Sequence, residues 1–195
     1  MENTDESLIE AHRRGETAAF DQLVRRYGDH LLGYLIRMSG SRDQAEDLFQ
    51  ETFKRVHEKA HTYRGGSFKS WLFTIATRAA IDNLRRRKRQ SILSLDQNLD
   101  CDGDGQELGA VAVADSSNNP AQVAVKTEQK AQVRQAVELL PAKQRATLVL
   151  AYFQELSYRE VADVLGCSVG TVKTQMSRAL QTLARRLPDM AEEVE

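Results

Sequence analysis

Apolar residues recur along this chain at the spacing of a helix, and almost nowhere with the alternation of a strand. Phe20, Leu23, Val24, Tyr27, Leu31 and Tyr34 keep one face of a helix that ends near Gly40. Ala45, Leu48, Phe49, Phe53, Val56 and Ala60 form the next stripe, and Ser41 with Gln44 is spaced as a capping box at its start. Gly65-Gly66 breaks the pattern. Ser67 is then placed to cap a helix whose Phe68, Trp71, Leu72, Ile75, Ala76 and Ala79 face a core. From Leu95 to Pro120 the period is lost and Asp, Gly, Asn and Ser take over, which is the composition of a linker. Helical spacing returns at Ala121. Pro141 stands where a helix can begin, and Leu148, Val149, Tyr152 and Phe153 supply its apolar face. The pattern predicts an all-α fold of two small helical domains joined by a flexible acidic linker.

The stretch from Leu156 to Leu187 has the grammar of a helix-turn-helix. Ser157 and Glu160 make a capping box, and Val161 and Leu165 face inward one turn apart. Ala162 is small enough for a close crossing, and Gly166 suits a tight turn that needs a positive φ. Ser168 caps a second helix, held to the first by Val169, Val172 and Met176. That helix carries Lys173, Arg178, Arg185 and Arg186, with no acid before Asp189. A packing hairpin in some other helical domain is the plainer alternative.

Net charge is −1, which alone argues against a nucleic-acid binder. The distribution reverses that. Between Arg64 and Gln90 eight basic residues face a single acid, Asp82, whereas Ser91 to Pro120 holds six acids and no base. Cys101 and Cys167 are far apart and suggest neither a disulfide framework nor a metal site, which fits a reducing cytoplasm. The opening MENTDESLIE is acidic and does not read as a signal peptide, and no apolar run is long enough for membrane insertion.

Taken together, three strings resemble the extracytoplasmic-function (group 4) sigma factors of bacterial RNA polymerase. They are ETAAFDQLVRRYGDHLLGYLIRMSG, DQAEDLFQETFKRVHEKAHTYRGGSFKSWLFTIATRAAIDNLRRRKR and LPAKQRATLVLAYFQELSYREVADVLGCSVGTVKTQMSRAL. The resemblance implies sigma region 2 over 5–92, an acidic linker over 93–120, region 4 over 121–188 and an acidic tail over 189–195. Region 2 would dock on the coiled coil of the largest polymerase subunit and read the −10 element. Region 4 would read the −35 element and touch the flap of the second-largest subunit. It further implies an anti-sigma partner, no cofactor and no covalent chemistry.

Candidate residues follow from both readings. Asp47, Gln50, Glu51 and Lys54 lie at helical offsets beside Leu48 and Phe53, and the resemblance makes this set the polymerase-docking face, with charges for register and apolar anchors for energy. Arg64, Gly65, Gly66, Ser67 and Phe68 form the loop beside which the resemblance places a pocket for a flipped −10 base, where glycines permit close backbone approach. Phe68 and Trp71 also fit the core stripe. Lys69, Arg78, Asn83, Arg86 and Lys88 are candidates for the −10 strand, because five bases from Arg85 to Arg89 repel one another until a polyanion relieves them. On the second hairpin helix Ser168, Gly170, Thr171, Lys173, Thr174, Ser177 and Arg178 face outward, with Lys173 and Arg178 able to reach guanine edges or phosphates.

Two strings point elsewhere. His57-Glu58-Lys59-Ala60-His61 satisfies the zinc-protease pattern H-E-x-x-H, but no histidine follows it to serve as third ligand. Asp100-Cys101-Asp102-Gly103-Asp104-Gly105 begins like a calcium loop, but Val111 stands where the bidentate glutamate belongs. The principal alternative function is a stand-alone helix-turn-helix regulator that binds duplex DNA as a dimer.

Overall fold

The computed structural model describes residues 4–95 and 120–187. Within the expected linker, 93–95 continue a helix and Pro120 opens one, while its remaining residues, the calcium-like string and the acidic tail lie outside the described residues. Among the described residues every regular element is helical.

The N-terminal domain comprises α1 (Asp5–Arg13), α2 (Thr17–Ser39), α3 (Arg42–Lys59), a short 3-10 turn (Ala60–Thr62) and α4 (Phe68–Leu95). Thr4 caps α1 by accepting from the Ser7 amide, and Leu8 and Ile9 plug its buried face into the bundle. Leu23, Leu31, Tyr34, Leu35, Leu72 and Phe73 are fully enclosed between α2 and α4. The Tyr34 hydroxyl shares a hydrogen bond of 2.7 Å with Thr77, and its ring meets Phe73 edge-on at 5.2 Å. Burial pushes the Tyr34 phenol pKa upward. That pair fixes the depth at which α4 sits against α2.

Gly40 ends α2 in the left-handed conformation, φ 77°, returning its amide to the Ile36 carbonyl. Ser41 does begin α3, yet the expected capping box with Gln44 does not form. The Gln44 amide oxygen instead accepts from Arg87 Nη1 at 2.8 Å, a partner 43 residues away.

The C-terminal domain comprises α5 (Pro120–Glu138), α6 (Ala142–Leu148), a π-helical turn (Val149–Phe153), α7 (Tyr158–Leu165) and α8 (Val169–Arg186). Pro141 caps α6 from outside rather than lying in its first turn. In the wide turn the Gln154 amide reaches back to the Val149 carbonyl at 3.2 Å and the Leu156 amide to Leu150 at 3.1 Å. Wide turns of this kind re-aim the side chains that follow. Here Gln154 is buried, and Glu155 takes a left-handed φ of 54°.

The two domains pack together. The second half of α2 receives α5 and the π-helical turn, and α4 receives α6 and α7. Arg145, 7% exposed, lies at the centre of this contact. Its Nη1 donates to the Met38 carbonyl at 2.5 Å, near the C-terminal end of α2. Its Nη2 donates to the Glu138 carbonyl and to the Leu140 carbonyl at 3.3 Å, at the end of α5. One guanidinium thus satisfies orphan carbonyls at two helix ends, where a cation also suits the helix dipole.

Candidate nucleic-acid interface

The helix-turn-helix forms as its residues require. The Ser157 hydroxyl and amide both donate to Glu160 Oε2, at 2.7 and 2.9 Å, and the Glu160 amide returns to Ser157 Oγ at 3.3 Å. Those bonds hold the Glu160 carboxyl below the usual carboxylate range, helped by the Lys69 ammonium from the other domain. Gly166 ends α7 with φ 63°. Ser168 caps α8, accepting from the Thr171 amide at 3.1 Å. Val172, Met176 and Ala179 are buried, whereas Val169, expected to help hold the hairpin, is 38% exposed. It lies in the first turn of α8, at the edge of the crossing.

Ser168, Gly170, Thr171, Lys173, Thr174, Ser177 and Arg178 are all exposed, so the outward set expected for DNA is free of the fold. Their polar groups are not equally available. Thr174 Oγ1 donates to the Gly170 carbonyl at 3.0 Å, which leaves it an acceptor toward any ligand. Ser168 and Thr171 share a hydrogen bond at 3.0 Å. Lys173 and Arg178 make no ion pair with any described residue and are the groups best placed to reach out.

In the N-terminal domain the loop before α4 is held by Tyr63, whose hydroxyl donates to the Gly66 carbonyl at 2.5 Å. Gly65 and Gly66 both have positive φ, 89° and 87°, with open space where a Cβ would stand. Arg64 and Ser67 are exposed, and Ser67 Oγ accepts from the Ser70 amide at 3.1 Å, the expected cap. Phe68 is 1% exposed, so it belongs to the core and not to the contact surface where it was expected. Trp71 is only partly covered, tilted against Tyr63 at 5.3 Å and Phe68 at 5.7 Å. It is the ring in this cluster that a base could reach.

Along α4, Arg78, Arg86 and Lys88 are exposed as expected, while Asn83 is half-buried with its Oδ1 enclosed and unpartnered. Lys69 is already engaged, donating from Nζ to the Gln154 carbonyl at 2.6 Å. The basic run is also less uniform than it reads. Arg87 folds back onto Gln44 and onto the Ser39 carbonyl at 3.3 Å, so it ties α4 to α3 and the end of α2.

On α3, Asp47, Gln50 and Lys54 are exposed, and Glu51 is braced by Arg55 at 2.7 Å. Leu48 and Phe53, each 6% exposed, fill the domain's own core and are not available as anchors for a partner. Both point to the side of α3 that faces α2 and α4, so they support the charged face from behind. His57 Nδ1 lies 3.1 Å from His12 Nε2, and the His12 ring stacks on Phe20 at 4.5 Å. The H-E-x-x-H histidine is thus paired with α1. Among the described residues no helix is long and apolar enough to cross a membrane.

The family model Sigma-70 region 2 matches residues 23–90, and Sigma-70, region 4 matches residues 130–183. The chain is 32% identical to the ECF RNA polymerase sigma factor SigW of Bacillus subtilis, over 97% of this chain and 100% of that protein. The chain belongs to the ECF RNA polymerase sigma factors.

This sigma factor is also 34% identical to the ECF sigma factor SigE of Mycolicibacterium smegmatis, over 87% of the chain, but spans only 63% of that relative's length. Among solved structures it is similar to the sigma factor RpoE of Bartonella quintana, crystallised with the anti-sigma factor NepR. That likeness has a TM-score of 0.65 and 28% identity, over 87% of this chain and 96% of that one. Its two domains are therefore sigma regions 2 and 4, and a stand-alone helix-turn-helix regulator no longer accounts for the chain. The family is one of transcription initiation factors, whose members direct RNA polymerase to promoters.

Proposed function

We propose the following division of labour for this sigma factor. Region 4 reads the −35 element with the exposed face of α8, Lys173 and Arg178 supplying the charge and Thr174 and Ser177 the finer contacts. Region 2 reads the −10 element with the loop at Arg64–Ser67 and the α4 residues Arg78, Arg86 and Lys88, while Asp47, Gln50, Glu51 and Lys54 dock it on the polymerase. The Bartonella relative was solved with an anti-sigma factor, and such a partner holds this chain inactive until a signal releases it. The work is done in the cytoplasm, where polymerase and chromosome meet, and is non-covalent throughout.

The supporting observation is that the outward set of α8 is wholly exposed while Val172, Met176 and Ala179 lock the helix beneath it. A recognition helix needs rigid backing and free side chains on the same few turns. Run-off transcription with purified core polymerase on promoters of the source genome tests the proposal. Starts that depend on this chain are expected, and the absence of any dependent start across those promoters would sink it.

A further inference from the structure

The H-E-x-x-H string takes no part in promoter reading or polymerase docking, yet its first histidine is not a free surface ring. His57 Nδ1 and His12 Nε2 face each other at 3.1 Å, from the last turn of α3 and the last turn of α1. No histidine follows His61 in the sequence, but the fold brings one to His57 from 45 residues earlier.

The two rings are held differently. His12 stacks on Phe20 with 4.5 Å between centroids and 28° between planes, and its Nδ1 is enclosed without a partner. Nε2 is therefore the one ring nitrogen that His12 can offer, and it points at His57. His57 is exposed, its ring tilted 52° to that of His12 and edge-on to Phe20 at 5.8 Å. An ion can thus approach from the solvent side onto a donor already fixed in place.

Two imidazoles in hydrogen-bond contact share a proton, and the same lone pairs can instead converge on a metal ion. With metal–nitrogen bonds of about 2.0–2.1 Å, nitrogens at adjacent corners of a square or a tetrahedron lie roughly 2.8–3.4 Å apart. The separation of 3.1 Å falls within that bite. From this geometry we infer that His12 and His57 form a two-imidazole site for a late first-row divalent cation, copper or nickel before zinc. Coordination keeps both rings neutral: the shared proton leaves the facing nitrogens for a far ring nitrogen. Among the described residues no set of three or more His, Cys, Asp or Glu is arranged to hold an ion. Water therefore fills the remaining positions, as in the tetragonal nitrogen–oxygen sites that suit copper and nickel and unlike the closed cages of structural zinc.

The ion joins two helices. Leu8 and Ile9 already bury α1 against the bundle, and the metal adds a tie at its C-terminal turn. The pair exists only in the folded chain, so the ion stabilises region 2 in proportion to its occupancy. None of this depends on which residues read the promoter.

Calorimetric titration of the untagged full chain with Ni(II) alone tests the site. One ion per chain is expected. His12→Phe, which keeps the stack on Phe20, and His57→Gln, at an exposed position, should each weaken binding by roughly tenfold or more, since even groups behind metal ligands carry that much. The melting midpoint should rise with added Ni(II) in the wild type and stay fixed in both variants. Electron paramagnetic resonance of the Cu(II)-loaded chain should show two imidazole nitrogens in the wild type and one in either variant. His61→Gln should leave the affinity unchanged. Loss on His61→Gln with none on His12→Phe would overturn the proposal, because the ion would then sit on the string itself. So would binding that survives in folded chains lacking both His12 and His57, or no binding by the wild type up to about 1 mM Ni(II).

Discussion

Two basic helices, α4 and α8, carry the groups proposed to face the promoter, and they are built in opposite ways. The outward face of α8 is complete in itself: its cap comes from Ser168 within the same motif, and Lys173 and Arg178 stand free. The basic set of α4 is shared out among the rest of the molecule. Arg87 braces α3 and the end of α2, Lys69 bonds the Gln154 carbonyl, Arg85 lies 3.6 Å from Asp82, and Arg78, Arg86, Lys88 and Arg89 are exposed. A charge count alone would rate α4 the stronger DNA binder. The bonding shows that its groups are divided between holding the fold together and standing exposed, whereas the outward set of α8 stays clear of the fold.

The largest effect should come from the core beneath α4. Phe73→Ala removes an enclosed ring and the edge contact to Tyr34, and is expected to destabilise region 2 by roughly 3–5 kcal/mol. Chemical denaturation followed by hydrogen exchange would read it. A loss spread equally over region 4 would break the comparison, because it would make the two domains one cooperative unit.

Arg178→Ala should then weaken promoter use by an amount typical of one base or phosphate contact, ~1–3 kcal/mol, with polymerase binding unchanged. Filter binding and run-off assays in parallel would separate the two, and an equal loss of both would mean that α8 is structural. Ser168→Ala removes the cap of the same helix and should lower region 4 stability by about 1 kcal/mol. Melting that leaves the midpoint unmoved would show that packing at Val172 and Met176 sets the helix start.

The smallest effect concerns α1. Desolvation, and then the charge of His57, lower the His12 pKa below the ordinary histidine value of about 6.5. A histidine depressed in the folded state binds fewer protons there than in the unfolded chain, so stability is full above the unfolded value and falls as pH drops below it. His12→Phe keeps the stack on Phe20 and should flatten that acid limb in melts between pH 7 and 5. An unchanged slope would locate the acid sensitivity elsewhere.

Local signals were legible in the sequence. Ser157-Glu160, Gly166 and Ser168 act within a few residues of one another, and each forms as read. Ser41-Gln44 obeys the same spacing and fails because Arg87, distant in sequence, supplies a better partner for Gln44. Leu48, Phe53 and Phe68 illustrate a second limit. Periodicity marks an apolar face, but it does not distinguish a ridge offered to a partner from one sunk in the domain's own core. Arg145 and Gln154 carried no signal, since their partners are backbone carbonyls, some in the other domain.

Gly40 ties the two scales together. A Cβ there would lie 3.1 Å from the Glu138 carboxyl carbon, in addition to straining a left-handed turn. Burial pushes the Glu138 carboxyl pKa upward, against the pull of Arg134 and Arg145, and that carboxyl is the group a side chain at position 40 would have to displace. The residue that stops a helix in region 2 is therefore also the floor on which region 4 rests. A side chain at position 40 would act on the end of α2 and on its packing against α5 in one step, and neither can be changed there without moving the other.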